Sequence, residues 1–273
     1  MHRRKRRSPW LPIVLLVAAA AGAAWFMLQR SAEPGSPPPA QGPVPVALPP
    51  PMEAQGPRHP VEAIEVPEEA MGELPLATPE DADAQLLRAL TELLDDEALA
   101  NLFIPEFLIQ RIVASIDNLT QPRVASRILP VRPIPGSFGI DGAEGDLRIS
   151  SANAGRYDAV VAALDAVDID RLVALYVRTY PRLQAAYREL GYPEAHFNDR
   201  LVEVLDHALR APEPPLPIAL VRTERGLEFA DPALEGLSVA HKALLRMGPA
   251  HAETVKARLG LLRARIAAAP PGA

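Results

Sequence analysis

The apolar positions divide the chain into three zones. Trp10 to Leu28 form one run of about 19 uncharged residues, close to the ~20 that a helix needs to cross a bilayer. A long tract without apolar periodicity follows, and stripes of helical period begin at Thr78. We predict a basic tail over 1–9, a transmembrane helix over 10–28, a Pro-rich linker over 29–77, a folded domain over 78–268 and a short tail over 269–273.

The first zone carries basic residues on one side only. Arg3, Arg4, Lys5, Arg6 and Arg7 precede the apolar run, and such residues favour the cytoplasmic side of a membrane. A cleaved signal peptide is the alternative, since a small-residue stretch over 18–24 lies within the run. Because apolar residues continue to Leu28, beyond a typical signal-peptide core, we favour a retained single-pass anchor. The expected location is a bacterial inner membrane, with the N-terminus cytoplasmic and the domain periplasmic.

The second zone is rich in proline from Ser31 to about Leu76. Such a segment buries too little apolar surface to offset chain entropy, so disorder with polyproline II character is expected. About 45 residues at ~3.1 Å each reach on the order of 100 Å when extended. The tract is interpreted as a spacer that holds the domain away from the bilayer, or as filler without a required length.

The third zone predicts a mainly α, multi-helix domain. Thr78–Pro79 starts a first helix whose face carries five leucines over 86–94. The further helices are predicted over 96–103, from 105 through Phe107 to 116, from Ser151 or Asn153 to 167, from Asp168 or Asp170 to 190, over 198–210, and over 232–247 and 249–268. Pro181 either kinks the helix that contains it or opens its continuation.

Two minor β-hairpins interrupt the helices. Residues 138–140 and 147–149 flank a glycine-bearing acidic turn, and residues 218–221 and 227–229 flank Glu224–Arg225–Gly226. The expected fold is therefore a helical domain with two separate small hairpins.

Composition narrows the chemistry. The chain has no cysteine, which excludes disulfides, thiolate metal sites and a cysteine nucleophile. Its formal charge is −6, and removing the five basic residues before the anchor leaves −6 − 5 = −11. Nucleic acid is not expected as a partner, because phosphate binding needs a basic face. The sequence indicates no cofactor, and it contains no zincin, phosphate-loop or G-x-S-x-G signature.

Several short motifs lie between residues 117 and 249. They are Asp117–Asn118–Leu119, Arg156–Tyr157, Leu190–Gly191–Tyr192–Pro193, Phe197–Asn198–Asp199–Arg200–Leu201, Asp206–His207 and Leu245–Arg246–Met247–Gly248–Pro249. Together they resemble a family of bacterial membrane-anchored proteins catalogued as domain of unknown function 3014. The resemblance spans about Glu80 to Ile266 and implies an architecture, without a known activity or catalytic residues.

The helix over 198–210 carries the strongest candidate for chemistry. His196, Asp199, Glu203 and His207 are spaced to share one helical face, and imidazoles and carboxylates are good zinc ligands. The opposite face is apolar, which is equally typical of an amphipathic helix with a solvated polar side. The four residues are therefore candidate metal ligands or surface ion-pairing groups.

Other polar residues of the motifs are expected to have structural or binding roles. Asn198 is predicted as the helix N-cap, and Arg200 and Asp206 are predicted to pair with Arg246 of a later helix. His207 and Tyr192 belong to the same set. A stripe of Tyr176, Tyr180 and Tyr187 with Leu172 and Leu183 fits a core, or alternatively a groove for glycan or peptide.

Two functions remain open from the sequence. The first is a non-enzymatic envelope interaction or scaffold module, with an envelope protein or the cell wall as partner. The second is a metal- or carboxylate-dependent hydrolase of envelope polymers that uses the helix over 198–210.

Overall fold

The computed structural model describes residues 56–70, 82–94 and 96–267. The predicted anchor over 10–28, most of the linker and the helix start at Thr78 lie outside the described residues. Within the described part, no helix combines the length and apolarity needed to cross a membrane.

Nine α-helices and one sheet make up the described fold, which confirms the mainly α prediction. The helices are α1 (Ala82–Leu94), α2 (Glu97–Ala100), α3 (Leu108–Asn118), α4 (Asp158–Asp165), α5 (Ile169–Glu189), α6 (Phe197–Leu209), α7 (Pro232–Glu235), α8 (Val239–Met247) and α9 (Pro249–Ile266). Turns of 3₁₀ helix lie at Val61–Ala63, Glu68–Ala70, Ser126–Ile128 and Ser151–Tyr157.

The two predicted hairpins join into one four-stranded antiparallel sheet. Its strands β1 (Ile140–Asp141), β2 (Leu147–Ile149), β3 (Ala219–Thr223) and β4 (Gly226–Phe229) follow chain order. Leu147 of β2 lies opposite Leu220 of β3, and this pairing unites the hairpins. Their inward side chains, with Phe138, form a small apolar cluster apart from the main core. Periodicity predicted each hairpin, whereas the contact between them depends on the fold.

Helix ends follow local chemistry, with two differences from the predictions. Asp168 caps α5 as expected, because its carboxylate accepts from the amides of Asp170 and Arg171. Ser150, rather than Ser151 or Asn153, caps the helical turn before α4. Helix α3 begins at Leu108, so the prediction that it includes Phe107 is wrong. Phe107 has a left-handed backbone with φ +56° and is 66% exposed.

The main core lies around α5 and α6. Tyr176, Tyr187, Leu172 and Leu183 are buried in the main core, and the half-buried Tyr180 packs against it. The core interpretation of the tyrosine stripe is therefore confirmed. Helix α5 is continuous through Pro181. Gly248 (φ +86°) and Pro249 separate α8 from α9 as predicted, since the glycine tolerates positive φ and proline suits a first helical position.

Residues 56–70, here called the strap, lie against the helical domain. Val61 and Ile64 are buried in the main core, and Val66 packs against it. The prediction of disorder is wrong for these residues, because three apolar side chains spaced over one short stretch find a surface on the helices. Structured chain therefore begins before residue 78, at the C-terminal part of the predicted linker.

Candidate functional site

Helix α6 contains most of the residues that the sequence singles out. Phe197 is fully buried at its first turn, and Leu201, Val204, Leu205 and Ala208 continue the buried face. The polar residues between them point to different neighbours along the helix. They form three groups: a clamp on the strap, an ion cluster and a histidine pair.

The clamp consists of Asn198 and Asp199. The Asp199 carboxylate accepts hydrogen bonds from the backbone amides of Arg58 (2.9 Å) and His59 (2.8 Å). The Asn198 amide donates to the carbonyl of His59 (2.8 Å). The two side chains therefore bind mainly the backbone of the strap, and the Arg58 guanidinium adds a longer contact of 3.9 Å to the Asp199 carboxylate.

Asn198 also ties the strap to two helices. Its side-chain amide donates to the carbonyl of Ile266 (3.1 Å) at the end of α9, and its oxygen accepts from the Tyr176 hydroxyl of α5 (2.8 Å). Burial raises the pKa of the Tyr176 hydroxyl well above its usual value, so this group remains a donor. Asn198 is fully buried and lies inside α6, so the N-cap prediction is wrong: His196 occupies the N-cap position.

Gln184 fixes the start of α6 against α5. Its side-chain oxygen accepts from the Phe197 amide (2.8 Å) and from the Tyr180 hydroxyl (2.9 Å). Its side-chain nitrogen donates to the Ala195 carbonyl (2.8 Å). The buried glutamine thus satisfies a helix-terminal amide that no N-cap side chain reaches. Sequence reasoning missed Gln184, because a single glutamine in an amphipathic helix has no distinguishing pattern.

The ion cluster centres on Arg200. Its guanidinium contacts the Asp117 carboxylate of α3 (2.8 Å) and the Glu203 carboxylate (3.0 Å), and it donates to the Thr120 hydroxyl (2.8 Å). Burial opposes the charge of Arg200, but Glu203 and Asp117 outweigh it and raise the pKa of Arg200. The cluster therefore joins α6 to the C-terminal end of α3.

Tyr192 completes the rim of this cluster. Its ring stacks on Tyr187 with centroids 4.7 Å apart, and its hydroxyl lies 3.3 Å from the Asp117 carboxylate. The negative charge of Asp117 raises the pKa of the Tyr192 hydroxyl, so Tyr192 acts as a donor to that carboxylate.

Asp206 and Arg200 bind residues other than the predicted Arg246. Asp206 instead binds Arg263 of α9 through two hydrogen bonds of 2.8 and 3.2 Å, and Arg200 binds Asp117. The Arg246 guanidinium is buried and lies over the Phe229 ring, 4.7 Å from its centroid. Burial lowers the pKa of Arg246 to about 10. The pairing prediction rested on sequence motifs, which carry no information about which helix faces which.

The histidine pair joins α6 to α8. The rings of His207 and His241 stack in parallel, with centroids 4.1 Å apart. The Nε2 atom of His207 lies 2.7 Å from the Ser238 hydroxyl, and the Nε2 atom of His241 lies 2.7 Å from the His207 carbonyl. Burial, then the neighbouring His241, lowers the pKa of His207, which favours the neutral ring beside the Ser238 hydroxyl.

A serine hydroxyl beside a histidine can act as a catalytic nucleophile, but the surroundings of Ser238 do not support that role. Ser238 caps α8, since its hydroxyl accepts from the His241 amide (3.2 Å). The next two amides, of Val239 and Ala240, donate to the carbonyls of Gln121 and Leu119. The amides at this helix start are therefore occupied, and none remains there to stabilise an oxyanion.

The four candidate metal ligands have different partners. Asp199 holds the strap, Glu203 pairs with Arg200, His207 contacts Ser238, and His196 lies before the helix. Among the residues that the structure describes, no group of three or more histidines and carboxylates could hold a metal ion. The geometry brings together the clamp, the ion cluster and the histidine pair instead of a single metal centre.

A cavity of about 360 Å³ lies at the other end of α6. Its wall includes Pro212, Leu216, Leu244 and Pro249, and Lys256 and Glu213 form an ion pair at its edge. The cavity is mostly apolar and does not contain any of the sequence-predicted site residues.

Among the comparisons with known proteins, one family model matches the chain. Residues 108–263 match the model of a family described as "Protein of unknown function (DUF3014)". No curated protein and no solved structure matches this chain. The matched segment covers more than half of the 273 residues and contains the ion cluster, the histidine pair and both clamp residues. The chain belongs to the DUF3014 family of proteins of unknown function.

Proposed function

We propose that this protein is a single-pass inner-membrane protein whose helical domain works in the periplasm as a non-enzymatic interaction or scaffold module. The predicted anchor over 10–28 holds it in the membrane, and the Pro-rich tract acts as the spacer. An envelope protein or the cell wall is the proposed partner.

The main support for the proposal is the set of contacts that the motif residues make. Asn198 and Asp199 bind the backbone of the strap, which is the segment through which the spacer enters the domain. Arg200 and Asp206 join α6 to α3 and α9. These contacts fix the spacer to the centre of the domain, so that a pull on the spacer is transmitted to α6 and its neighbours. Such an arrangement suits a tethered module that resists displacement.

In-cell photo-crosslinking tests the proposal. A photoreactive amino acid replaces one exposed apolar residue at a time, at Val221 on the sheet, Leu216 at the cavity or Leu261 on α9. We expect at least one position to give a discrete adduct with an envelope component. Position Glu144, exposed in the β1–β2 turn, serves as a polar surface control. The absence of adducts at all three apolar positions in cells that produce the full chain would contradict the proposal.

The alternative is a metal- or carboxylate-dependent hydrolase of envelope polymers. It has less support, because the four candidate ligands bind different partners in the structure. Metal analysis of the purified protein distinguishes the two. Stoichiometric zinc that is lost in the variant His207→Ala would favour the hydrolase.

A further inference from the structure

Phe107 is the most unusual residue on the described surface. Its side chain is 66% exposed, and its backbone is the only non-glycine among the described residues with positive φ. The left-handed conformation costs an ordinary residue free energy, and burying an aromatic ring normally gains it. Phe107 therefore carries a conformational cost without the usual compensation from burial in the domain.

The conformation is imposed by a fixed scaffold. The Arg111 guanidinium donates to the carbonyls of Glu106 (2.9 Å), Leu129 (3.1 Å) and Arg127, and the Phe107 carbonyl accepts from the Arg111 amide (2.8 Å). The Arg132 guanidinium donates to the carbonyls of Asn101 (2.7 Å) and Phe103 (2.8 Å). The segment that presents Phe107 is thus held on both sides, and the ring projects from a rigid base.

The surface around Phe107 carries positive charge. Arg111, Arg127 and Arg132 do not take part in any ion pair found among the described residues. Arg127 and Arg132 are exposed. Two acidic residues lie close to Phe107: Glu106 precedes it in the chain, and the Asp83 carboxylate accepts a hydrogen bond from the Ile109 amide (2.9 Å). Three arginines against the two carboxylates of Glu106 and Asp83 leave a small local positive charge, on a chain whose formal net charge is −6. The patch therefore differs in sign from the protein as a whole.

We propose that Phe107, with Arg111, Arg127 and Arg132, is a contact for the surface of an anionic lipid bilayer. An aromatic ring partitions into the membrane interface, and arginines around it attract lipid phosphates. The acidic remainder of the domain is repelled by the same surface, so the contact sets the orientation of the domain. A bilayer fits better than an acidic protein, because the proposed anchor already ties the domain to a membrane and a single exposed ring suits an interface.

The proposal rests on the membrane tether of the proposed function, because a domain on that tether stays within reach of the bilayer surface. The full chain is reconstituted into vesicles, either of phosphatidylcholine alone or with added phosphatidylglycerol. Because the chain has no cysteine, the variant Gln110→Cys places one environment-sensitive dye on the exposed residue one turn after Phe107. The variant Ala143→Cys places the same dye on the exposed β1–β2 turn as a control.

We expect the emission at position 110 to shift to the blue only in the anionic vesicles, and the signal at position 143 to stay unchanged. Phe107→Gly should abolish the shift, since glycine keeps the backbone conformation and removes the ring. Arg127→Gln should weaken it, and added salt should do the same.

Four results would overturn the proposal: no shift in anionic vesicles, an equal shift at position 143, a shift that persists in Phe107→Gly, or a response to soluble polyglutamate without a response to vesicles. The last result would assign the patch to an acidic protein partner. A chain that fails to enter either type of vesicle would contradict the tether itself, which flotation of the same samples detects separately.

Discussion

At the scale of single residues, the polar groups of α6 are positioned to connect parts of the chain. Asn198 alone links the strap, α5 and α9 through three hydrogen bonds in a fully buried position. Buried polar groups are costly when they lose their partners, so such a residue stabilises the fold only while the whole network is intact.

The variant Asn198→Ala tests this network. It leaves the Tyr176 hydroxyl and the carbonyls of His59 and Ile266 without their partner, and we expect the free energy of unfolding to fall by about 3 kcal/mol. The measurement is urea unfolding of the full chain in detergent. Asn118→Ala is the control, because Asn118 donates one local hydrogen bond to Ala114 and should cost less than about 1 kcal/mol. Equal losses of unfolding free energy in both variants would show that the Asn198 network stabilises the fold no more than one local hydrogen bond does.

Phe107 gives the opposite expectation. Phe107→Gly relieves the left-handed backbone and removes little buried surface, so the free energy of unfolding should rise by about 1 kcal/mol. Phe107→Ala keeps the backbone cost and should give no such gain. Thermal unfolding of the three proteins measures the difference. A destabilised Phe107→Gly variant would mean that the ring contributes to the fold.

At the scale of elements, the strap is the segment whose behaviour the sequence predicted least well. Its proline content predicts disorder, yet Val61 and Ile64 are buried and Asp199 binds its amides. The helix and hairpin predictions rest on regular periodicity over many residues, which is why they are mostly confirmed. The strap has too few apolar residues for a period, and its order depends on a partner surface formed about 140 residues later.

Limited proteolysis tests the clamp on the strap. Trypsin can cut after Arg58, but both amides around that bond are held by the Asp199 carboxylate. We expect Asp199→Ala to speed cleavage after Arg58 by about tenfold or more, as local opening of one segment becomes easier. Mass spectrometry of timed digests gives the rate. Glu203→Ala serves as the control from the same helix. If cleavage after Arg58 is as fast in Glu203→Ala as in Asp199→Ala, the clamp is not specific to Asp199.

The junction of α6 and α8 should make stability depend on pH. The pKa of His207 is lowered in the folded protein by burial, by His241 and by the nearby Arg210 and Arg200, with Glu203 opposing them. The unfolded chain then binds the proton more readily, with a pKa near 6.5. The contribution of the neutral ring is therefore complete above pH 6.5 and is lost as the pH falls from there toward the lower folded pKa.

The measurement is urea unfolding of the full chain at pH 7.5 and at pH values below about 6. We expect the wild type to lose stability on acidification and His207→Phe, which keeps a stacked ring without a titrating group, to lose less. His251→Phe is a surface control, since His251 contacts Asp158 elsewhere. An identical loss in the wild type and His207→Phe would contradict the assignment.

At the scale of the whole molecule, patterns along the chain predicted the fold class and the family, while they predicted few of the contacts. The residues now seen to act together, such as Asp117 with Arg200 and Ser238 with His207, lie far apart in sequence and on different helices. The spacing of His196, Asp199, Glu203 and His207 suggested a shared site, but neighbouring elements supply each group with a separate partner. Helical periodicity predicts on which face of its helix a residue lies. It does not predict which other helix or strand packs against that face.

The central claim is that this domain is held at the inner membrane on its periplasmic side. The most direct measurement is protease treatment of spheroplasts that contain the full chain with a C-terminal tag, after fractionation shows where the chain resides. The account predicts that the chain stays in the membrane fraction after an alkaline wash and that protease added outside removes the tag. A full-length chain in the soluble fraction, or a tag that survives until the spheroplasts are lysed, would contradict it.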